Sequence, residues 1–155
     1  MILAVTALLT ACAGFLLAVL WMDLIFDAQL LGHRGEELPE PVLAGIAGYY
    51  HRATTTSRPM SLLIAVVMAI LLSAIGAAAL RGGERPWLLI ASALLAGAPI
   101  LLALTRTVPA ARRLGRRVDP PARQSRLARS ILRDHVFGLA AMSVFLVLWL
   151  TQHVC

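Results

Sequence analysis

Four long apolar runs, almost free of charge, constrain this chain more than any other feature of its sequence. They cover residues 2–22, 60–80, 87–105 and 136–152. A helix needs about 20 such residues to cross the hydrocarbon core of a bilayer. The chain has 155 residues, so these runs and the segments between them fill it, and one domain is expected. We therefore predict a single all-α domain over residues 1–155, a polytopic membrane four-helix bundle.

Charged residues are scarce and unevenly placed. They make up 14% of the chain, against about 25% in a typical soluble domain. All 14 basic residues are arginine, which indicates a GC-rich coding sequence of the kind common in bacteria. Because the arginines lie between apolar runs rather than among aromatic residues on a solvated surface, nucleic acid is not expected as a partner. The expected partner is the lipid bilayer.

The arginine distribution predicts an orientation in the membrane. Three arginines lie between the first and second runs and nine between the third and fourth, whereas only Arg81 and Arg85 lie between the second and third. Short cytoplasmic segments are enriched in Lys and Arg. Both Arg-rich segments are therefore predicted to be cytoplasmic, with the N-terminus and C-terminus outward, in a multi-pass protein of the bacterial inner membrane.

The cytoplasmic segments carry helical signals of their own. Residues 42–56 are compatible with a helix, and Asp119 followed by Pro120 suits the N-cap and first position of another. Downstream of these, four apolar residues fall on one helical stripe. They are Leu127, Ala128, Ile131 and Leu132. We therefore predict that the helices extend past the membrane on the cytoplasmic side.

Two prolines mark the third run. Pro86 stands at its start, where a proline suits the first turn of a helix. Pro99 lies inside it and is expected to kink the helix. The segment before Pro86 is so short that the second and third helices must be antiparallel neighbours.

Polar side chains border the cytoplasmic ends of the runs. Asp23 follows 22 uncharged residues, and Asp27 lies one helical turn later on the same face. A carboxylate costs about 2.5–3.5 kcal/mol at the centre of a bilayer and less near its surface. Asp23 is therefore expected to find a partner, and Arg106, Arg133 and His135 are the candidates.

Two interpretations of this polar layer stay open. In the first it forms a pocket for a hydrophobic small molecule, in which Asp23 and His135 are the catalytic acid–base pair. The candidate ligand-binding residues are Asp27, Tyr50, His51, Arg52, Arg106, Arg133 and Asp134. In the second it is an ion-pair network that fixes the helix ends of a non-enzymatic accessory or scaffold subunit, in a homo-oligomer or beside a partner membrane subunit. A transporter is less favoured, because no charge lies in mid-span.

No standard metal or cofactor motif accompanies these residues. The carboxylates and histidines are suitable ligand types for a divalent metal, but the spacings HxxxH and ExxH do not occur. Neither do the GxSxG, HExxH, P-loop or Rossmann glycine patterns. No metal ligand is therefore predicted, and the cofactor is left unassigned.

Four short polar segments stand at the cytoplasmic ends of the predicted spans. They are Trp21-Met22-Asp23, Tyr50-His51-Arg52, Arg106-Thr107-Val108-Pro109 and Arg133-Asp134-His135. Their order resembles the DUF1772 or anthrone-oxygenase-like group of small four-helix membrane proteins. The resemblance covers most of the chain and implies a four-helix membrane fold. The activity named for that family is oxygenation of a polyketide anthrone without an evident cofactor. No substrate-specific motif matches residue by residue, so the resemblance assigns no substrate.

Overall fold

A computed structural model describes residues 2–152 of the chain, with side chains from residue 4 onward. Within this range it contains helices and no strand, which confirms the all-α prediction. The α-helices are α1 (Ile2–Asp27), α2 (Glu40–Thr55), α3 (Arg58–Arg81), α4 (Pro86–Leu102), α5 (Val108–Arg116) and α6 (Pro121–Thr151). The two ends of the chain, whose orientation the arginine pattern predicts, lie outside the described residues.

Among the described residues, four helical stretches are long and apolar enough to cross a membrane. They cover Ala4–Leu30, Arg58–Arg81, Pro86–Arg116 and Pro121–Thr151, and each corresponds to one predicted span. The two longest have 31 residues, or about 46 Å at about 1.5 Å per residue. They exceed the hydrocarbon core of about 30 Å. The chain is thus a multi-pass membrane protein whose helices extend beyond the core.

The apolar core of the bundle lies between α1, α3, α4 and α6. Leu9, Leu71 and Phe145 are fully buried there. The indole N–H of Trp149 donates a hydrogen bond of 2.9 Å to the hydroxyl of Ser92, so the polar atom of this buried side chain is satisfied. Large apolar side chains also cover the outer surface of these helices, as lipid contact requires.

A second apolar cluster lies at the Arg-rich end of the bundle, between α2, α5 and the first half of α6. Leu43 and Ile46 of α2 pack there with Leu114 of α5 and with Ala128 and Ile131 of α6. This confirms the helical stripe predicted in the last segment. The helix predicted at residues 42–56 is also present, as α2.

A π-helical turn, Ala103–Thr107, joins α4 to α5, so that Pro86–Arg116 is one continuous helical stretch. Pro86 begins α4, as predicted, and Pro99 lies inside it. A proline removes one hydrogen bond from the helical ladder. Four residues after Pro99, the α-helical hydrogen-bond pattern changes to that of the π-helical turn. The wider π-helical turn rotates the side chains that follow it.

The start of α6 differs from the prediction. The N-cap is Pro120 rather than Asp119, and no side chain caps the helix. The Asp119 carboxylate instead accepts two hydrogen bonds from the Arg113 guanidinium, at 2.6 and 2.8 Å. Arg117 follows the last residue of α5 and has a φ of 52°, in the left-handed region. It turns the chain between Arg113 and Asp119. A bidentate, charge-assisted pair is stronger than an N-cap bond to a backbone N–H, and it therefore prevails.

The Arg113–Asp119 pair should make stability pH-dependent. The hydrogen bonds and charge of Arg113 lower the pKa of the Asp119 carboxyl below its ordinary value of 3.8. Such a group stabilises the fold above its ordinary pKa, and the contribution is lost as the pH falls through the lowered one. We expect the melting temperature of the wild type to exceed that of Asp119→Asn at neutral pH, and the two to converge as the pH falls below the ordinary pKa of 3.8. Parallel melting curves across this pH range would contradict the prediction.

Candidate functional site

The site is formed where α1, α2 and α6 meet at the Arg-rich end of the bundle. It contains Asp23 and Asp27 of α1, Tyr49 and Tyr50 of α2, and His135 of α6, and we call it the carboxylate–histidine cluster. The apolar packing of α2 against α6 turns both tyrosines toward α1. Residues more than 100 positions apart in sequence thereby become neighbours.

The imidazole of His135 lies between the two carboxylates. Its Nδ1 is 2.7 Å from Oδ2 of Asp27, and its Nε2 is 3.8 Å from Oδ2 of Asp23. The i, i+4 spacing of the two aspartates puts their carboxylates on one face of α1, and the ring lies between them with one nitrogen toward each. Of the three partners expected for Asp23, the structure selects His135.

Each carboxylate also receives a tyrosine hydroxyl. The Tyr50 hydroxyl donates to Oδ1 of Asp27 at 2.7 Å, and the Tyr49 hydroxyl donates to Oδ1 of Asp23 at 2.5 Å. The Tyr49 ring stacks on Phe26, with ring centroids 3.9 Å apart. The two hydroxyls therefore fix both carboxylates on the side opposite the histidine.

The two phenols act as hydrogen-bond donors throughout the physiological pH range. Burial and the neighbouring Asp27 carboxylate raise the pKa of Tyr50 far above its ordinary value of 10. Burial and the hydrogen bond to Asp23 raise the pKa of Tyr49 in the same direction. Neither hydroxyl is therefore available as a base, and their role in the cluster is to position the carboxylates.

The two carboxylates differ in exposure. Asp27 is completely buried, whereas 20% of the Asp23 side chain is accessible. His135 lies between them, with 11% of its side chain accessible. The cluster thus has a sealed end at Asp27 and an open edge at Asp23, which is where a molecule from outside can reach it.

This geometry suits proton transfer. When the neutral imidazole carries its proton on Nδ1, it donates to Asp27, and Nε2 is left as the proton-accepting nitrogen on the side of Asp23. A buried carboxylate that fixes the tautomer of a histidine and stabilises its protonated form is a recurring acid–base device. The sealed carboxylate would thus orient the histidine, and the open edge would receive the proton donor or acceptor.

Two of the predicted site residues form a separate pair. Asp134 precedes His135 but faces the π-helical turn, where its Oδ2 accepts a hydrogen bond of 3.0 Å from the Thr107 hydroxyl. Arg106 Nε lies 3.6 Å from the same oxygen, and Arg106 also donates to the Ser130 hydroxyl at 2.8 Å. Arg106 therefore pairs with Asp134, and not with Asp23.

Three further candidates lie outside the cluster. His51, Arg52 and Arg133 are exposed. Successive helical residues are rotated by about 100°, so residues one or two positions from Tyr50 or His135 leave the face that those side chains occupy. The structure thus separates these three from Asp23 and His135, and any binding role for them concerns another surface.

The site also includes residues that sequence reasoning did not select. Tyr49 was not among the predicted binding residues, although it holds the more exposed carboxylate. The sequence does contain a pattern that points to Tyr49: the adjacent pair Tyr49-Tyr50 can reach two carboxylates that are one helical turn apart. Within residues 4–152, no group of three or more His, Cys, Asp or Glu side chains is arranged to hold a metal ion.

Comparisons with known proteins found no family model that matches the chain, no similar curated protein and no similar solved structure. The resemblance to the anthrone-oxygenase-like group therefore stays a prediction, supported by the four polar segments alone.

Proposed function

We propose that the chain is a bacterial inner-membrane protein whose carboxylate–histidine cluster binds a small amphipathic molecule at the cytoplasmic helix ends and exchanges a proton with it. The observation that carries the proposal is the asymmetry of the cluster. A histidine is oriented by one sealed carboxylate and flanked by a second one that is partly accessible. A purely structural ion pair does not require an accessible edge.

Each residue then has a distinct role. His135 takes the proton of the bound molecule on Nε2, and Asp27 holds the ring and stabilises its positive charge. Asp23 is the second member of the acid–base pair: it lies beside Nε2, borders the position where the molecule would bind, and relays the proton to and from Nε2. Tyr49 and Tyr50 are positioning residues, because each hydroxyl fixes one carboxylate.

An oxygenase-like reaction is the form of this chemistry that the family resemblance favours. An anthrone is a carbon acid whose methylene proton a histidine base can remove. The resulting carbanion reduces molecular oxygen to a bound hydroperoxide, which loses water and leaves the quinone. Anthrone and O₂ thus give anthraquinone and H₂O, and the protein supplies only the base and the binding surface.

Replacing Asp23 by asparagine tests the proposal. We expect Asp23→Asn to lower the rate of oxygen uptake with anthrone by about 100-fold, the order of a general acid–base contribution. The melting temperature in detergent should stay within about 2 °C of the wild type, because the replaced group is partly exposed. Arg112→Gln, an exposed change on α5, is the matched control and should keep the wild-type rate.

Two results would contradict the proposal. The oxygenase reaction fails if the wild type does not accelerate oxygen uptake above the rate of a detergent blank. Proton exchange at the cluster fails if Asp23→Asn takes up oxygen with anthrone at the wild-type rate.

A non-enzymatic accessory or scaffold role is the second candidate, and one observation favours it. The cluster joins three helices, and no buried side-chain nitrogen or oxygen atom in the described residues lacks a hydrogen bond. A structural network needs the same features. The scaffold interpretation predicts that Asp23→Asn lowers the melting temperature by several degrees and that no ligand binds. The acid–base site predicts the opposite pattern.

A further inference from the structure

A groove at the Arg-rich end of the bundle is not used by the acid–base chemistry. It has a volume of about 490 Å³ and lies between the chain that follows α1 and the first half of α6. Leucines and arginines alone line it: Leu30, Leu31, Arg126, Arg129, Leu132 and Arg133. It therefore combines an apolar surface with a concentration of positive charge.

The arginines belong to one face of α6. Arg126, Arg129 and Arg133 are spaced i, i+3 and i+7, which places them on one side of a helix over two turns. The distance along the axis from Arg126 to Arg133 is about 10 Å, at about 1.5 Å per residue. Three guanidinium groups thus follow one edge of the groove.

Their charge is largely uncompensated. In the part of the chain that the structure describes, no ion pair joins Arg133 to an acidic residue. Arg126 is 3.8 Å from Glu36, and both side chains are exposed. Arg129 donates to the backbone carbonyls of His33 and Gly35, which are neutral. The groove therefore keeps a net positive charge that favours an anion.

The groove lies at the depth of the lipid headgroups. Arg133 stands three positions before Val136, the first residue of the last apolar run, so its guanidinium lies near the boundary of the hydrocarbon core. On the α1 side, Leu31 is 73% exposed and continues the apolar surface into the groove. A ligand here meets arginine on the α6 side and leucine on both sides.

We infer that this groove binds an anionic phospholipid, with its phosphate on Arg126 and Arg133 and an acyl chain along Leu31 and Leu132. Arginine matches a phosphate with paired N–H donors. Basic pockets between membrane helices on the cytoplasmic side are suited to anionic headgroups. The leucines favour a lipid over a free anion, because a soluble phosphate gains nothing from an apolar wall.

Lipid binding to two matched double variants tests this inference. Native mass spectrometry of the full chain in detergent would measure binding of phosphatidylglycerol and phosphatidylcholine. We expect the wild type to prefer phosphatidylglycerol by about 25-fold, given about a fivefold gain for each of the two arginines near the anionic headgroup. Arg126→Gln with Arg133→Gln should lose this preference. The control, Arg112→Gln with Arg116→Gln, removes the same charge from α5 and should retain it.

The design keeps Arg129 in place, because its bonds to the loop carbonyls hold the segment after α1. If the double variant does not fold, Arg133→Gln alone should reduce the preference by about fivefold. Equal losses of the preference for phosphatidylglycerol in the two double variants would mean that it comes from overall positive charge and not from this groove. Equal binding of both lipids to the wild type, or displacement of phosphatidylglycerol by an equal concentration of inorganic phosphate, would also overturn the inference.

Discussion

Replacing Asp27 by alanine is expected to lower the free energy of unfolding by about 3–5 kcal/mol, because two buried donors lose a charged acceptor at once. Asp27 is completely buried, accepts a hydrogen bond of 2.7 Å from the Tyr50 hydroxyl and lies 2.7 Å from Nδ1 of His135. Without the carboxylate, a hydroxyl and an imidazole N–H remain buried without an acceptor. Reversible unfolding in mixed micelles, followed by circular dichroism, would measure the loss.

Asp23→Ala is the matched control for this change. It removes the same group from the same face of α1, one turn earlier, but from a position where water can replace the lost acceptor. We expect it to cost about 1 kcal/mol or less. Asp27→Asn should fall between the two, because the amide oxygen can still accept from Tyr50 while the interaction with His135 changes. Equal losses at Asp23 and Asp27 would contradict the division of the cluster into a sealed end and an open edge.

The four spans and part of the site follow from the sequence because they depend on short-range patterns. Apolar length predicts each membrane helix, and the i, i+4 spacing of Asp23 and Asp27 predicts that they share a face. His135 was correctly included among the candidate partners of Asp23, since it also borders an apolar run. Depth along a helix can be counted in residues, so these features need no knowledge of tertiary structure.

The remaining features depend on how each helix is rotated about its own axis. His51 and Arg133 lie within two positions of Tyr50 and His135 but face outward, because the packing of Ile46 and Ile131 determines which side of α2 and α6 points inward. The pairing of Arg106 with Asp134 depends in addition on the π-helical turn, which rotates the residues after α4. No spacing rule in the sequence specifies that turn.

The position of Asp119 shows the same limit at a helix end. Its place before two prolines is typical of an N-cap, and only the left-handed turn at Arg117 brings it to Arg113 instead. A local rule was overridden by a stronger, charge-assisted contact six residues away in sequence.

The close packing of α2 against α5 depends on Gly115, so a substitution at this position should have a large effect on stability. A Cβ atom at Gly115 would lie 2.7 Å from the backbone nitrogen of His51 and 2.9 Å from its Cα. These are backbone atoms, so the clash cannot be relieved by a change of rotamer. Gly115→Ala must therefore push α2 away from α5, and we expect it to lower the free energy of unfolding by about 1–3 kcal/mol or more, as overpacking does.

Gly45→Ala, on the outer side of α2, is the control for Gly115→Ala. Its Cβ would meet only Gln29 Oε1, at an ordinary contact distance of 3.6 Å. In a helix interior alanine is favoured over glycine by about 0.5–1 kcal/mol, so this variant should be as stable as the wild type or more stable. The same unfolding measurement distinguishes the two, and a loss of similar size in both would show that the close approach at Gly115 is not what limits substitution.

The displacement caused by Gly115→Ala should also reach the carboxylate–histidine cluster. Tyr50 immediately precedes His51, and its hydroxyl holds the buried carboxylate of Asp27. A shift of α2 by even half an ångström would stretch this bond from 2.7 Å toward the limit at which hydrogen bonds weaken. We therefore expect Gly115→Ala to alter the NMR titration of His135 as well as stability, whereas Gly45→Ala should leave the titration unchanged. An unaltered titration in a destabilised Gly115→Ala protein would mean that α2 can move without disturbing the histidine, and that Tyr50 does not position Asp27.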